Sequence, residues 1–218
     1  MLVCQSYCYF ALGAVDEDHR FPILLLNHIS FKPPNAPPLS QPHDVFQKLY
    51  CNSSTVSNCE TEFCRCTHIL EMKLGSLVEV ILVDRGSMDA NHPFHLHGYK
   101  FAVLGMEKVG DIITLEDVKN LDKMGKLRRN LIDIPLKDTV TVPDGGYTVI
   151  RLIADNPGYW LLHCHLLFHL DDGMAAIFRV GEQKDLPPVP SGFPKCGSWV
   201  PRPVYDLNAK IRKYRRNL

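Results

Sequence analysis

The 218-residue sequence predicts an all-β fold, an antiparallel sandwich or barrel with one short helical insertion. Three observations carry this: strand-length apolar runs that alternate with polar residues or are β-branched, turn signals at close spacing between them, and a single stretch of helical periodicity. His68 to Leu74 and Leu77 to Val83 read as strands. Thr114 to Met124 is the exception, because Thr114 and Asp117 resemble a helix start, Leu115, Val118, Leu121 and Met124 share a face, and Gly125 stops it. Thr139 to Val142 and Tyr147 to Ile153, joined by Pro143, Asp144, Gly145 and Gly146, read as a hairpin. Asp155, Asn156, Pro157 and Gly158 form another turn, and Tyr159 to His165 and Ala175 to Val180 are further strands.

These elements fall within one domain, residues 22–185. Residues 1–21 read as an N-terminal segment left from a preceding domain, and residues 186–218 as a C-terminal extension with a basic tail, Lys210 to Arg216, expected to be solvated. From Lys32 to Pro42 the chain is Pro-rich and is expected to run extended, as a linker at a boundary or a strap across the domain surface. Hydrophobic residues make up 45% of the chain, enough for a packed core. The 24 basic and 24 acidic residues balance, so no net field recruits nucleic acid or an anionic membrane. No apolar run approaches the length of a transmembrane helix. The first fourteen residues lack a basic start and are interrupted by Gln5 and Ser6, unlike a signal peptide.

Eight cysteines nevertheless favour an extracellular, secreted protein. Asn52, Ser53 and Ser54 form an N-glycosylation acceptor in a turn-rich stretch, with Asn52 the expected attachment point. The spacing of Cys59, Cys64, Cys66 and His68 resembles a zinc site, but in a secreted setting disulfides are the favoured reading. With Cys164 reserved as a metal ligand, seven cysteines are left, an odd number that requires a partner beyond these residues.

Six of the ten histidines crowd into two segments, one carrying His92, His95 and His97, the other His163, Cys164, His165 and His169. His19, His28 and His43 stand alone and read as ordinary core or surface residues. Around Cys164, one thiolate, imidazoles and the thioether of Met174 make the ligand set of a blue copper site. A structural zinc site prefers two to four cysteines, and this segment offers one. Strand alternation sorts the remainder. If the segment is extended, Cys164 faces one side and His163 and His165 the other, so two metal sites lie back to back. By the same parity His95 and His97 share a face and His92 points opposite, supplying the missing blue-copper imidazole.

Both segments resemble the two C-terminal copper motifs of the multicopper oxidases, most closely those of arthropod laccases. The Cys64 to His68 segment, Lys137 to Val140 and Ala154 to Trp160 also look like laccase third-domain sequence, so the resemblance spans about residues 22–181. It implies a cupredoxin, or plastocyanin-like, Greek-key sandwich. It further implies that His92, Cys164, His169 and axial Met174 bind type 1 copper, that His95 serves type 2 copper, and that His97, His163 and His165 serve the type 3 pair. The implied reaction is four one-electron oxidations of a reducing substrate, a diphenol, ascorbate or Fe(II), coupled to reduction of O₂ to water, with His92, Cys164 and His169 as the catalytic entry. A coordinating Met174 lowers the potential and predicts a moderate-potential oxidase.

The family's cluster takes eight histidines, and only four are found here. A missing N-terminal cupredoxin domain is the expected partner, and this chain alone is expected to be incomplete for catalysis. The alternatives are a free-standing copper-binding or electron-transfer cupredoxin without oxidase activity, and a metallo-oxidase or ascorbate oxidase. Asp155, Asp171 and Asp172 are candidate acids for orienting the ligand histidines.

Overall fold

The computed structural model describes residues 7–15, 23–52, 54–59, 64–86 and 89–197. The basic tail lies outside these residues, as do His19 and most of the expected N-terminal segment. Thirteen strands form two packed layers. One layer runs β10 (Thr139–Val142), β7 (His92–Leu96), β12 (Gly158–Cys164), β13 (Ala175–Val180) and β5 (Cys64–Met72); short β4 (Tyr50–Cys51) also pairs with β5. The other runs β3 (Ile29–Phe31), β2 (Ile23–Leu26), β1 (Tyr7–Val15), β6 (Leu77–Asp84), β11 (Gly146–Ile153), β8 (Phe101–Lys108) and β9 (Leu136–Lys137). Because β5 pairs with both β13 and β3, the layers join along one side into a barrel-like sheet.

The main core fills the space between the layers. Phe94, Leu96, Leu162 and Phe178 come from one layer and Phe10, Val80, Leu82 and Ile150 from the other, all fully buried. Burial of large apolar side chains at about 25 cal/mol per Å² is the dominant stabilising contribution in such a sandwich. A second core lies outside β6 and β11. There helix α1 (Leu115–Lys123) covers Ile81, Val83, Tyr147 and Val149 through the buried Val118. Thr114 and Asp117 close a reciprocal capping box, and Gly125, at φ +67°, ends the helix as expected. Leu115 and Leu121 pack inward as expected, whereas Met124 is 57% exposed. Buried Glu79 is paired by Arg129 at 2.8 Å and Arg151 at 2.6 Å, and Arg129 also reaches Asp122 of the helix at 2.7 Å. A buried carboxylate needs such partners, and these tie the insertion to the sheet.

Three features depart from the sequence expectation. β10 and β11 do not form a hairpin: β10 pairs with β7 and β11 with β6 and β8, so the Pro-Asp-Gly-Gly turn carries the chain across the sandwich from one layer to the other. Turn chemistry fixes a reversal of direction, while each strand's partner is chosen by which apolar face it buries. The sheet is mixed, with β1 parallel to β6 and β3, β4 and β13 parallel to β5. A second helix, α2 (Leu167–Asp171), interrupts the segment after Cys164.

Cysteines pair as Cys51–Cys66 and Cys59–Cys64, so that cluster is a disulfide framework, and Cys8 is also disulfide-bonded. Among the described residues Cys164 and Cys196 are free, the first buried and the second exposed. The Pro-rich strap leaves β3 and lies over β12 and β13, enclosing a cavity of about 480 Å³ with Leu161, Leu170 and Ile177.

Candidate metal centre

Antiparallel pairing of β7 with β12 sets His95 opposite His163 and Phe94 opposite Cys164. Alternation then divides the two strands. Cys164, Leu162, Phe94 and Leu96 enter the main core, and His92 shares their parity. His92 Nδ1 lies 3.7 Å from Cys164 Sγ. After Cys164 the chain leaves the strand, and α2 returns His169 to the same point, with Nδ1 3.6 Å from Sγ and 3.2 Å from His92 Nδ1.

Gly173 follows at φ +110°, where a Cβ would meet Ser30 Oγ at 2.3 Å and the Phe31 amide nitrogen at 2.8 Å. Only glycine lets the chain pass so close to β3 and turn inward. Met174, fully buried in the same core as Cys164, donates its amide to the His169 carbonyl at 2.8 Å and accepts from the Cys164 amide at 3.1 Å. Backbone bonds thus stitch Cys164, His169 and Met174 into one knot.

His92, Cys164 and His169 are, among the described residues, the group whose donor atoms all lie within 4.8 Å of one another. Burial pushes the Cys164 thiol up to about 11. The protein alone therefore keeps it protonated, and a cation must supply what a thiolate needs. Burial lowers His92 to about 4, with His169 adding to the effect, and burial also lowers His169. Two neutral imidazoles and one thiol converging on one buried point fit a copper ion of N₂S ligation with the thioether of Met174 alongside.

The opposite face holds the other four histidines. Centroids lie 5.0 Å apart for His95 and His97, 5.2 Å for His97 and His163, 5.7 Å for His95 and His163, and 5.6 Å for His163 and His165. Second hydrogen bonds set their tautomers. His95 Nδ1 sits 2.9 Å from both the Asp138 carbonyl and Thr139 Oγ1, and His163 Nδ1 donates to the Cys164 carbonyl at 2.8 Å. Nε2 is thereby left outward on both, and His163 Nε2 lies 3.2 Å from His97 Nε2. His97 and His165 are exposed. Burial lowers His97 and His163 first, and neighbouring imidazoles lower them further.

All eight expected copper ligands thus gather in two groups on opposite sides of β12. The expected orienting acids do not. Asp171 lines the strap cavity, Asp155 lies in a groove beside Tyr99, and only Asp172 acts on a ligand, raising His169 by its charge. Sequence reasoning missed Asp84 at the end of β6, whose Oδ2 lies 3.3 Å from His92 Nε2. Burial raises its carboxyl to about 6. No spacing rule points to it, because contact between β6 and the start of β7 depends on the whole sandwich. Asn52, 5% exposed, accepts from the amides of Ser54 and Thr55 at 3.0 and 3.2 Å and lines a cavity of about 420 Å³ with Tyr159 and Arg179.

A family profile described as Multicopper oxidase matches residues 31–184. The chain belongs to the multicopper oxidase family. Laccase-12 of Arabidopsis thaliana is 42% identical over 135 residues, 60% of this chain and 22% of the relative. Laccase-3 of Oryza sativa subsp. japonica is 38% identical over 135 residues with the same shares. This multicopper oxidase chain therefore spans about a fifth of the length of the curated relatives it matches. These relatives are plant laccases, so they carry the family and not an arthropod branch of it. Among solved structures, a laccase from Botrytis aclada aligns with a TM-score of 0.56 at 23% identity, over 85% of this chain and 30% of that one. Fet3p, a multicopper oxidase that functions in iron import, aligns with a TM-score of 0.55 at 22% identity, over 83% of this chain and 32% of that one. At such identity the likeness shows the fold, which is cupredoxin-like, and the family implies copper.

Proposed function

We propose that this chain is the C-terminal, third plastocyanin-like domain of a laccase-type multicopper oxidase, with the domain at residues 22–185. The observation that carries the reading is the position of Cys164, whose side chain joins one group of metal donors while the residues on either side of it, His163 and His165, belong to the other. His92, Cys164, His169 and Met174 hold type 1 copper, His95 serves type 2, and His97, His163 and His165 serve type 3. Bound copper supplies one-electron redox chemistry at the first group and reduction of O₂ at the second, four electrons and four protons giving two waters.

The chain's own residues set the route. His169 is only half-buried and offers a ring edge to an outside reductant, whereas His92 is 1% exposed. Leu167 and Phe168, 66% and 79% exposed, stand next to His169 in the chain. Their apolar surface suits the ring of an electron-rich diphenol better than ascorbate or Fe(II). From Cys164 two links lead to the second group: the covalent backbone, and the His163 Nδ1–H bond to the Cys164 carbonyl at 2.8 Å. Exposure of His97 and His165 supports a cluster completed by four histidines of an N-terminal cupredoxin domain. The disulfides support a secreted protein, and glycan on Asn52 would appear as a mass loss on glycosidase treatment.

A second reading, a free-standing copper-binding cupredoxin, is favoured by the fact that the first group takes every ligand from this chain. Copper loading of this chain, and of the same chain joined to its upstream coding sequence, separates the two. An intense thiolate-to-copper absorption in both, with O₂ uptake on diphenol addition only in the longer protein, supports the oxidase. Upstream sequence without two further His-x-His motifs, and no uptake by either protein, overturns it in favour of the carrier.

A further inference from the structure

We propose that Asp84 is a positioning residue of the first metal group: its carboxylate holds the His92 ring by Nε2, turns Nδ1 toward Cys164 and His169, and places a negative charge behind the metal. The inference deepens the copper reading above and rests on it for the metal's identity.

A neutral histidine that offers Nδ1 to a metal must carry its proton on Nε2, and that proton needs an acceptor. His92 is 1% exposed, so water does not supply one. Asp84 Oδ2 stands 3.3 Å from Nε2. The same oxygen is buried and is left without a completed hydrogen bond, so His92 Nε2 is a donor within reach of it. At this length the bond is not yet well aligned. The ring's other nitrogen, Nδ1, faces Cys164 Sγ at 3.7 Å and His169 Nδ1 at 3.2 Å.

Asp84 is itself held. Its Oδ1 accepts from the Gly86 amide at 2.9 Å, and Gly86 is confined at φ +78°, where a Cβ would lie 1.8 Å from the Asp111 carbonyl oxygen. A side chain that fixes a ligand must first be fixed in this way. Two other charged groups lie near the pair: Asp144, with Oδ1 buried and unpartnered, and Lys108, 3.6 Å from Asp144 Oδ2. Two carboxylates against one ammonium leave a net negative field. Burying an unbalanced carboxylate is costly, and a cation at the donor group is its natural counter-charge. His169 is placed differently: the residue is only half-buried, and the acid near it, Asp172, is exposed. The two imidazoles thus divide their roles, His92 anchored and His169 at the entry.

The test uses the longest form of the protein, with Asp84→Asn, which keeps shape and removes charge, and Asp84→Ala, which removes the acceptor. Nitrogen-15 NMR of the copper-free protein reads the His92 tautomer, and the copper-loaded protein gives the visible absorption and the Cu(II)/Cu(I) equilibrium. We expect a single Nε2–H tautomer in the parent and mixed tautomers in Asp84→Ala. We expect Asp84→Asn to keep its absorption while the equilibrium shifts about tenfold toward Cu(I), about 59 mV upward for one electron. A proton on Nδ1 of His92 in the parent, or an Asp84→Asn equilibrium within about twofold of the parent, overturns the proposal. If Asp84→Ala does not fold, Asp84→Asn and the parent tautomer decide. If the parent shows no blue absorption the copper reading falls, and the tautomer comparison still decides what Asp84 does to His92.

Discussion

The two faces of β12 carry two groups of candidate metal ligands from consecutive residues, yet the groups are built differently. Cys164 points into the core, where His92 and Met174 are also buried, and the donor atoms of His92, Cys164 and His169 lie within 4.8 Å of one another. His163 points the other way, where His97 and His165 are exposed and the ring centroids stand 5.0 to 5.8 Å apart. A strand's period of two produces this division without further design. One group is enclosed by the packing of the core; the other lies partly open on the surface of the layer. The largest effect follows from that difference. Cys164→Ser removes the thiolate, and we expect complete loss of both the visible absorption and the copper bound at the first group, with circular dichroism unchanged. His97→Ala should leave that absorption intact. Copper per chain and visible spectra of both variants check this, and loss of the absorption in His97→Ala would mean that the faces are not independent.

Phe94 sharpens the same comparison energetically. It lies opposite Cys164 in register, is fully buried, and sits in sequence between Pro93 and His95. Truncation to Ala should cost about 3–5 kcal/mol in urea unfolding and weaken copper retention at the buried group. His165→Ala, on the exposed face, should cost under about 0.5 kcal/mol, as surface changes do. Equal costs would show that the two faces share one packing unit.

His68 provides a third kind of histidine against which both groups can be read. It is fully buried on β5, both ring nitrogens lack partners, and burial holds its pKa down to about 4. Since the unfolded chain binds the proton near pH 6.5 and the folded one only near 4, stability is full above about 6.5 and declines as pH falls toward 4. At 1.36 kcal/mol per pH unit the loss is on the order of 3 kcal/mol. His68→Leu should lack this component, so the stability difference between variant and parent should widen between pH 6.5 and 4. Denaturant melts across that range check it.

How much of this could be read in the sequence follows from what each feature depends on. Local patterns were legible: the capping box at Thr114, the run of strands, and the parity that separates Cys164 from His163. The ligand groups were legible because they repeat that parity in two segments. What required the fold was pairing across distance. The link between Val142 and Gly146 looks like a hairpin turn, but whether β10 joins β11 or β7 is decided by burial on both layers. Asp84 is an ordinary acid at a strand end until the sandwich brings it to His92. Helix α2 hides in Leu166 to Leu170, an apolar stretch too short for periodicity to separate helix from strand.

The smallest effect isolates the site layer from the layer that carries α1. Thr114 accepts from the Asp117 amide at 3.1 Å, and its own amide donates to Asp117 Oδ2 at 2.8 Å, so Thr114→Ala opens one half of the box and should cost about 1 kcal/mol. The helix packs on Ile81 and Tyr147, which face away from the main core that encloses Cys164. Loosening it should therefore lower the unfolding midpoint while leaving the visible absorption and copper content at parent values. Cooperative unfolding makes stability a property of both layers, whereas ligand geometry is set by β7, β12, α2 and the Asp84 end of β6, none of which carries α1. A Thr114→Ala protein whose copper absorption shifts would show instead that the insertion reaches the metal group through β6, the strand that ends at Asp84.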